Sequence, residues 1–315
     1  MHIFDSKHCN KAYLVGHIVD APYLLCEKLL SQFTSISSRV NVPQEKNEPE
    51  DIMPVFVEPH IVEGDDGLLH WDMPENTLIG NTLITHRKKP LQKNAVIFAF
   101  FDCGIGYGYE KEENEVFAAI NEMLRRQESF LYVVHCNSDN PAWFDNKNNI
   151  WSNIAFIRGC AVVASQDYNF LCVSGGIKFN RSWYESRHIP CERMFAEINF
   201  NDIEQFLQKD RIDCVLTSAA PTFIQPQMSS LQCFRPWKNA DPALREDVRK
   251  ERHQMDVLYT TLTNGNTIKE WAFVGYNNNN KQRENDILFT SVIGSNFTDV
   301  SNFSNNQNID FELPL

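Results

Sequence analysis

Three glycines at alternate positions, Gly104, Gly106 and Gly108, stand between an apolar run and an acidic cluster formed by Glu110, Glu112, Glu113 and Glu115. Backbone N–H groups on a glycine loop, with the dipole of a helix that starts just beyond it, attract an anion such as a phosphate. A phosphate site gains nothing from adjacent carboxylates, which repel it. Glu112 and Glu113 therefore point to a second job, proton transfer beside a bound anion, in which one carboxylate raises its neighbour's pKa by like-charge repulsion. Lys111 acts in the opposite sense, because a nearby ammonium lowers carboxylate pKa values. Acidic residues at a helix start also have a plain structural use, worth about 0.3–1 kcal/mol each against the macrodipole.

A second candidate is the stretch Ser218-Ala219-Ala220-Pro221, which follows the buried run Cys214–Leu216. Open α/β sheets place ligands just past the carboxyl ends of their strands, although a proline-broken strand exit has the same look. His135-Cys136 and His188 with Cys191 lack the repeated spacing of a closed zinc site. Many Cys–His pairs exist and nothing selects one as a nucleophile, so no metal or cofactor is implied. Tyr107, Tyr109, Phe223 and Tyr276 are suited to stacking on a base, but aromatics beside loops are common.

The elements that must position these residues follow from periodicity. Ala95–Phe101 is a strand, and Glu112–Gln127 is a helix whose apolar stripe is Val116, Phe117, Ile120, Met123 and Leu124. Helices are also expected at 18–33, 202–208 (capped by Asn201 or Asp202), 242–262 and 284–293. The charged run Arg245–Arg252 reads as the solvated face of the helix over 242–262. Strands are expected at 55–62, 77–85, 130–134, 155–164, 170–179 (interrupted by Gly175-Gly176), 214–217, 271–274 and 309–313, with loops at 34–50, 137–149 and 222–240. Alternation of strands and helices gives an α/β class.

Composition excludes several functions. The chain has 315 residues, 43% of them hydrophobic, enough for a large core. A net charge of -12 argues against a nucleic-acid-coating surface. No apolar run reaches membrane-spanning length, so no membrane partner is expected. Nine scattered cysteines without a Cys-x-x-Cys pair suit reduced thiols, and the expected compartment is the reducing cytoplasm or nucleus.

The ordered motifs resemble those of the microbial-type poly(ADP-ribose) glycohydrolase domain, a relative of the macro domain. Phe98-Ala99, Gly104-Ile105-Gly106 and Lys111-Glu112-Glu113 match the order of its Phe-Ala strand end, triple glycine and Gln-Glu-Glu. Leu216-Thr217-Ser218-Ala219-Ala220-Pro221 looks like its Thr-Ser-Ala-Pro strand end, and the segments 244–262, 271–275 and 285–313 follow in family order. The match spans residues 90–315. Ile105 replaces the middle glycine, Lys111 replaces the glutamine, and Gly275-Tyr276-Asn277 stands where the family has a second glycine loop. A shifted register would use Glu113-Asn114-Glu115 instead.

The resemblance implies a macro-domain-like fold, a mixed sheet sandwiched between helices over residues 90–315, with residues 1–89 as an N-terminal helix and extension packing on that core. It implies recognition of ADP-ribose or an ADP-ribosylated protein, with hydrolysis of an ADP-ribosyl O-glycosidic linkage. Glu113 would be the acid, with Glu112 beside it. The ligand would lie against Phe98, Ala99, Gly104, Ile105, Gly106, Gly108, Ser218, Ala219, Pro221, Gly275, Tyr276 and Asn277. The alternatives are a catalytically inactive binding module of the same kind, or an interaction domain with a lost pocket.

Overall fold

The computed structural model describes residues 1–16, 60–63, 69–72, 93–100, 105–107, 110–137, 139–146, 150–188, 198–225, 237–274, 281–292 and 298–300. Two compact units divide the chain, one of Met1–Thr34 with Leu91–Leu315 and one of Ser35–Pro90. In the smaller unit, β3 (His60–Glu63) and β4 (Leu69–Asp72) form an antiparallel pair.

The larger unit opens with β1 (His2–Asp5) and β2 (Lys11–Gly16) and resumes at β5 (Ala95–Phe100). There follow α1 (Glu110–Arg126), β6 (Phe130–Val134), α2 (Pro141–Asn146), β7 (Ile154–Ile157), β8 (Cys160–Ala164) and β9 (Asn169–Val173). Next come α3 (Arg181–Ser186), α4 (Phe200–Leu207), β10 (Cys214–Thr217), α5 (Leu244–Thr263), β11 (Glu270–Phe273), β12 (Lys281–Glu284), β13 (Ile287–Ser291) and β14 (Thr298–Asp299).

These strands build two mixed sheets. One has the order β1-β8-β9-β10-β11-β13-β12 and the other β14-β2-β5-β6-β7. In the second, β2, β5, β6 and β7 are parallel neighbours. In the first, β9, β10, β11 and β13 are.

Alternation along each strand decides which layer a side chain joins. Ala95, Ile97 and Ala99 of β5 meet Phe117, Ile120 and Leu124 of α1 and Trp143 and Phe144 of α2. Val96, Phe98 and Phe100 turn the other way, into a core shared with Phe170, Cys172, Cys214, Leu216 and Ala272 of the seven-stranded sheet. That sheet's opposite face carries Leu171, Val215, Trp271 and Phe273, which pack on Ile203 of α4 and on Leu244, Val248, Leu258 and Leu262 of α5.

The molecule is α/β with mixed sheets, and among the described residues each sheet has helices on one face only. The faces that a single sheet between helices would cover with helices here cover each other, with the Phe98 and Phe170 ring centroids 5.1 Å apart. The chain passes from one sheet to the other at Arg158-Gly159, between β7 and β8, where Gly159 takes φ +80°. The expected single strand over 155–164 is therefore two strands.

Several other expectations are corrected. The described part of the helix expected over 284–293, residues 284–292, is no helix: β12 and β13 are antiparallel and turn at Asn285 (φ 46°) and Asp286 (φ 66°), the paired positive angles of a tight hairpin turn. Helix α2 lies inside the expected loop 137–149, started by Asn140, whose side chain accepts the Ala142 N–H at 3.0 Å. Helix α4 is capped by Asn199, which accepts from Asp202 N–H, and not by Asn201 or Asp202. The strand expected over 170–179 ends at Val173. The expected segments 18–33, 34–50, 77–85 and 309–313 lie outside the described residues.

Candidate functional site

Helix α1 and the loop before it come together as the sequence expects, but their polar groups face each other. Glu113 is 7% exposed and accepts the Gly106 N–H at 2.9 Å. Ile105 is buried, and its N–H donates to Asp139 at 3.2 Å. Asn140 completes the clamp, donating its side-chain amide to the Gly106 carbonyl at 2.8 Å and its backbone N–H to the Ile105 carbonyl at 2.7 Å. The amides of Ile105 and Gly106 are thus met by the protein's own carboxylates. Gly106 has φ +83°, and a Cβ there would come within 2.6 Å of the Trp143 Cβ. Only glycine fits.

Phe98 and Ala99 are wholly buried, one in the inter-sheet core and the other under α1. Lys111 and Glu115 are exposed, so between Glu113 and Glu115 it is Glu113 that meets the loop. Gly104, Gly108, the Glu112 side chain and the residues Gly275, Tyr276 and Asn277 lie outside the described residues.

Asp139 links this loop to the end of β6. Its second oxygen accepts the Cys136 N–H at 3.0 Å. The carbonyl of the neighbouring His135 accepts the Gly175 N–H at 2.8 Å, tying the exit of β6 to the exit of β9 across the two sheets. The Ser218 hydroxyl at the exit of β10 donates to the Gly175 carbonyl. The two motifs chosen from the sequence are therefore ends of one hydrogen-bonded row along the carboxyl ends of parallel strands.

At the Ser218 end the row borders a cavity of about 10 Å³, lined among others by Ser174, Gly175, Gly176, Ser218, Glu251 and Gln254, room for a single water. Ala219 and Pro221 are buried beneath it. Arg252, 2% exposed, donates to the carbonyls of Ala220, Pro221 and Ile224 at 3.2, 2.6 and 2.6 Å and fixes this exit. Glu251, 4% exposed, accepts the Ile177 N–H at 2.9 Å. Burial pushes its carboxyl up to about 7, against the opposing pull of that N–H and of the Arg252 and Arg181 guanidiniums. A carboxyl poised near neutrality is what a general acid or base at neutral pH requires.

The charged run Arg245–Arg252 is accordingly not a uniformly solvated face. Glu251 and Arg252 lie on the same side as Leu244, Val248, Met255 and Leu258, and three- and four-residue spacing from Val248 and Met255 marked both. Asp139 and Asn140 carried a signal as well, since Asn-Pro opens a helix.

Four of the described cysteines, Cys9, Cys160, Cys172 and Cys214, are poor nucleophiles. Burial pushes the thiols of Cys9 and Cys160 up to about 11 and those of Cys172 and Cys214 well above their ordinary value. Among the described residues no three His, Cys, Asp or Glu side chains are grouped to hold a metal ion, and no helix is long and apolar enough to cross a membrane. No family model matches the chain, and no curated protein matches it either.

Proposed function

We propose that this chain is a binding domain in which the acidic helix start is structural, and that its ligand is the ADP-ribosyl group implied by its ordered strand-exit motifs. The observation that carries the non-hydrolytic half is the bond from the Gly106 N–H to Glu113. Glycosidic cleavage needs a carboxyl free to protonate the leaving oxygen and direct a water. Glu113 is instead spent on closing the loop onto α1, and Ile105 fills the place of the missing glycine.

Support for the ligand comes from the motif order and from the position of Ser218, Ala219 and Pro221 at strand carboxyl ends, where α/β proteins bind small molecules. The macro-domain-like fold belongs to this proposal, and two sheets packed on each other depart from it. The ligand therefore rests on the motifs more than on the layers. Hydrolysis is the second reading, favoured by one observation: Glu113, the expected acid, is the carboxylate that reaches the loop. It requires Glu113 to leave Gly106 when ligand arrives.

Calorimetry with ADP-ribose and release of ADP-ribose from a modified protein or polymer test both halves. Saturable binding without turnover is expected. Turnover that disappears in Glu113→Gln overturns the non-hydrolytic half, and absence of binding overturns the ligand and leaves an interaction domain.

A further inference from the structure

The segment leaving β9 is hinged at two glycines. Gly175 and Gly176 take φ of 100° and 134°, angles open to glycine and closed to most other residues. A Cβ on Gly176 would come within 2.6 Å of the Ser218 Cβ, so the segment lies close over the β10 exit. Among the bonds that hold it are three at its hinge: Gly175 N–H to the His135 carbonyl, the Ser218 hydroxyl to the Gly175 carbonyl, and Ile177 N–H to the Glu251 carboxyl at 2.9 Å. Of these three, the last alone ends on a group that ionises.

We propose that Glu251 is a proton-operated latch: while it holds its proton the double-glycine segment stays closed over the strand-end cavity, and loss of the proton drives the segment open to water. An ionised carboxylate in this place accepts the Ile177 N–H well but forfeits its hydration, and burial is the largest influence on it. Opening restores the water. Linkage then requires protons to favour the closed form, because the carboxyl holds its proton more tightly there.

The charges around Glu251 do not replace that water. Arg252, beside it on α5, is committed to three backbone carbonyls. Arg181 on α3 is shared between Asp241 at 2.5 Å and Asp247 at 2.7 Å, two carboxylates that offset its charge. Lys178, next to Ile177, sits over the Tyr184 ring at 4.1 Å. Ser174, Thr217, Ser218 and Gln254 line the same cavity and carry no charge. Closed, the cavity has room for a single water, so a larger group that occupies it enters through the open form. The latch belongs to the fold and stands whether or not an ADP-ribosyl group is the ligand.

Amide hydrogen exchange of residues 174–188 in the intact chain, corrected for intrinsic rates, tests it. Protection should fall roughly tenfold between about pH 6 and about pH 8, the ratio expected when a carboxyl near 7 in the closed form becomes an ordinary one in the open form. Glu251→Gln, a neutral isostere, should remove the pH dependence. The double change His188→Gln with His253→Gln should leave it in place. Unchanged protection across this range in the unaltered chain overturns the latch, as does a fall that persists in Glu251→Gln. Should Glu251→Gln fail to fold, carbon NMR of the glutamate carboxyls in the unaltered chain decides. A midpoint near neutrality that tracks the loss of protection supports the latch, and carboxyls that all titrate below about pH 5.5 overturn it.

Discussion

Glu113 and Asp139 do at the residue scale what a bound anion would do for an empty loop: they accept its amides. Replacing Glu113 with alanine leaves the Gly106 N–H without that acceptor, at a cost of about 1–3 kcal/mol. Asp139→Ala should cost more, since it frees both Ile105 and Cys136 N–H groups in a place 1% exposed. Urea denaturation of the two variants reads the order, and a milder Asp139→Ala would contradict the clamp. Gly106→Ala adds strain at positive φ to a contact with Trp143, and a loss of about 1–3 kcal/mol is expected in the same measurement. Glu251 has the opposite character. Its folded-state carboxyl sits near 7, above the ordinary 4.5, so the native state holds the extra proton. The contribution of Glu251 to stability is then fully present below about pH 4.5 and is lost as pH rises to about 7, by about 3 kcal/mol if the segment stays closed and less if it opens. Denaturation midpoints from about pH 5 to about pH 8 should show the decline, and Glu251→Gln should flatten it.

Between helices α3 and α5 the decisive contact is ionic and buried. Arg181 is 1% exposed and Asp241 4%, joined at 2.5 Å, with Asp247 at 2.7 Å on the partly exposed side. Removing the guanidinium strands a buried carboxylate, so Arg181→Ala should lose about 3–5 kcal/mol. Arg181→Lys should recover little, because one ammonium cannot span both acids. Thermal melting checks both, and a lysine variant as stable as the parent would refute the two-armed geometry. At this scale the sequence was legible where periodicity was long and misleading where it was short. The stripe of α1 repeats over several turns and is found as read, and the long helix expected over 242–262 is α5. The hairpin of β12 and β13 stands where the sequence suggests a helix, because the ten residues 284–293 cannot separate the two periods, although Asn285-Asp286 is a turn signal. Helix α2 is a single turn and a half among Asn and Asp, too short for a stripe.

For the whole molecule, the alternation of buried side chains said that β5 had two apolar faces and could not say what covered each. Helices cover one, and the second sheet covers the other. That partner is set by chain reversals such as Gly159, which have no periodic signal. The joining of the two motifs through Asp139, His135 and Gly175 was equally invisible, because it depends on which strands become neighbours. The inter-sheet core predicts cooperativity: Phe98→Ala removes a ring that contacts Tyr132 and Phe170 and should cost about 3–5 kcal/mol. Both sheets should then melt in one transition. Cys172 and Cys214 provide the readout from inside that core. Their thiols should resist a disulfide reagent in the native chain and react as unfolding proceeds, and prompt labelling under native conditions would contradict the burial.

Strand β2 has a further consequence for how the protein is made. Its two neighbours are β5, with Lys11 opposite Ala95, and β14, near the far end of the chain. The whole Ser35–Pro90 unit is translated between β2 and the first of them. A growing polypeptide therefore emerges from the ribosome with the apolar Ala12, Leu14 and Val15 awaiting a mate that has not yet been synthesised. Such a chain is a natural client for chaperones that shield nascent strands, and its yield should depend on them more than its finished stability would suggest.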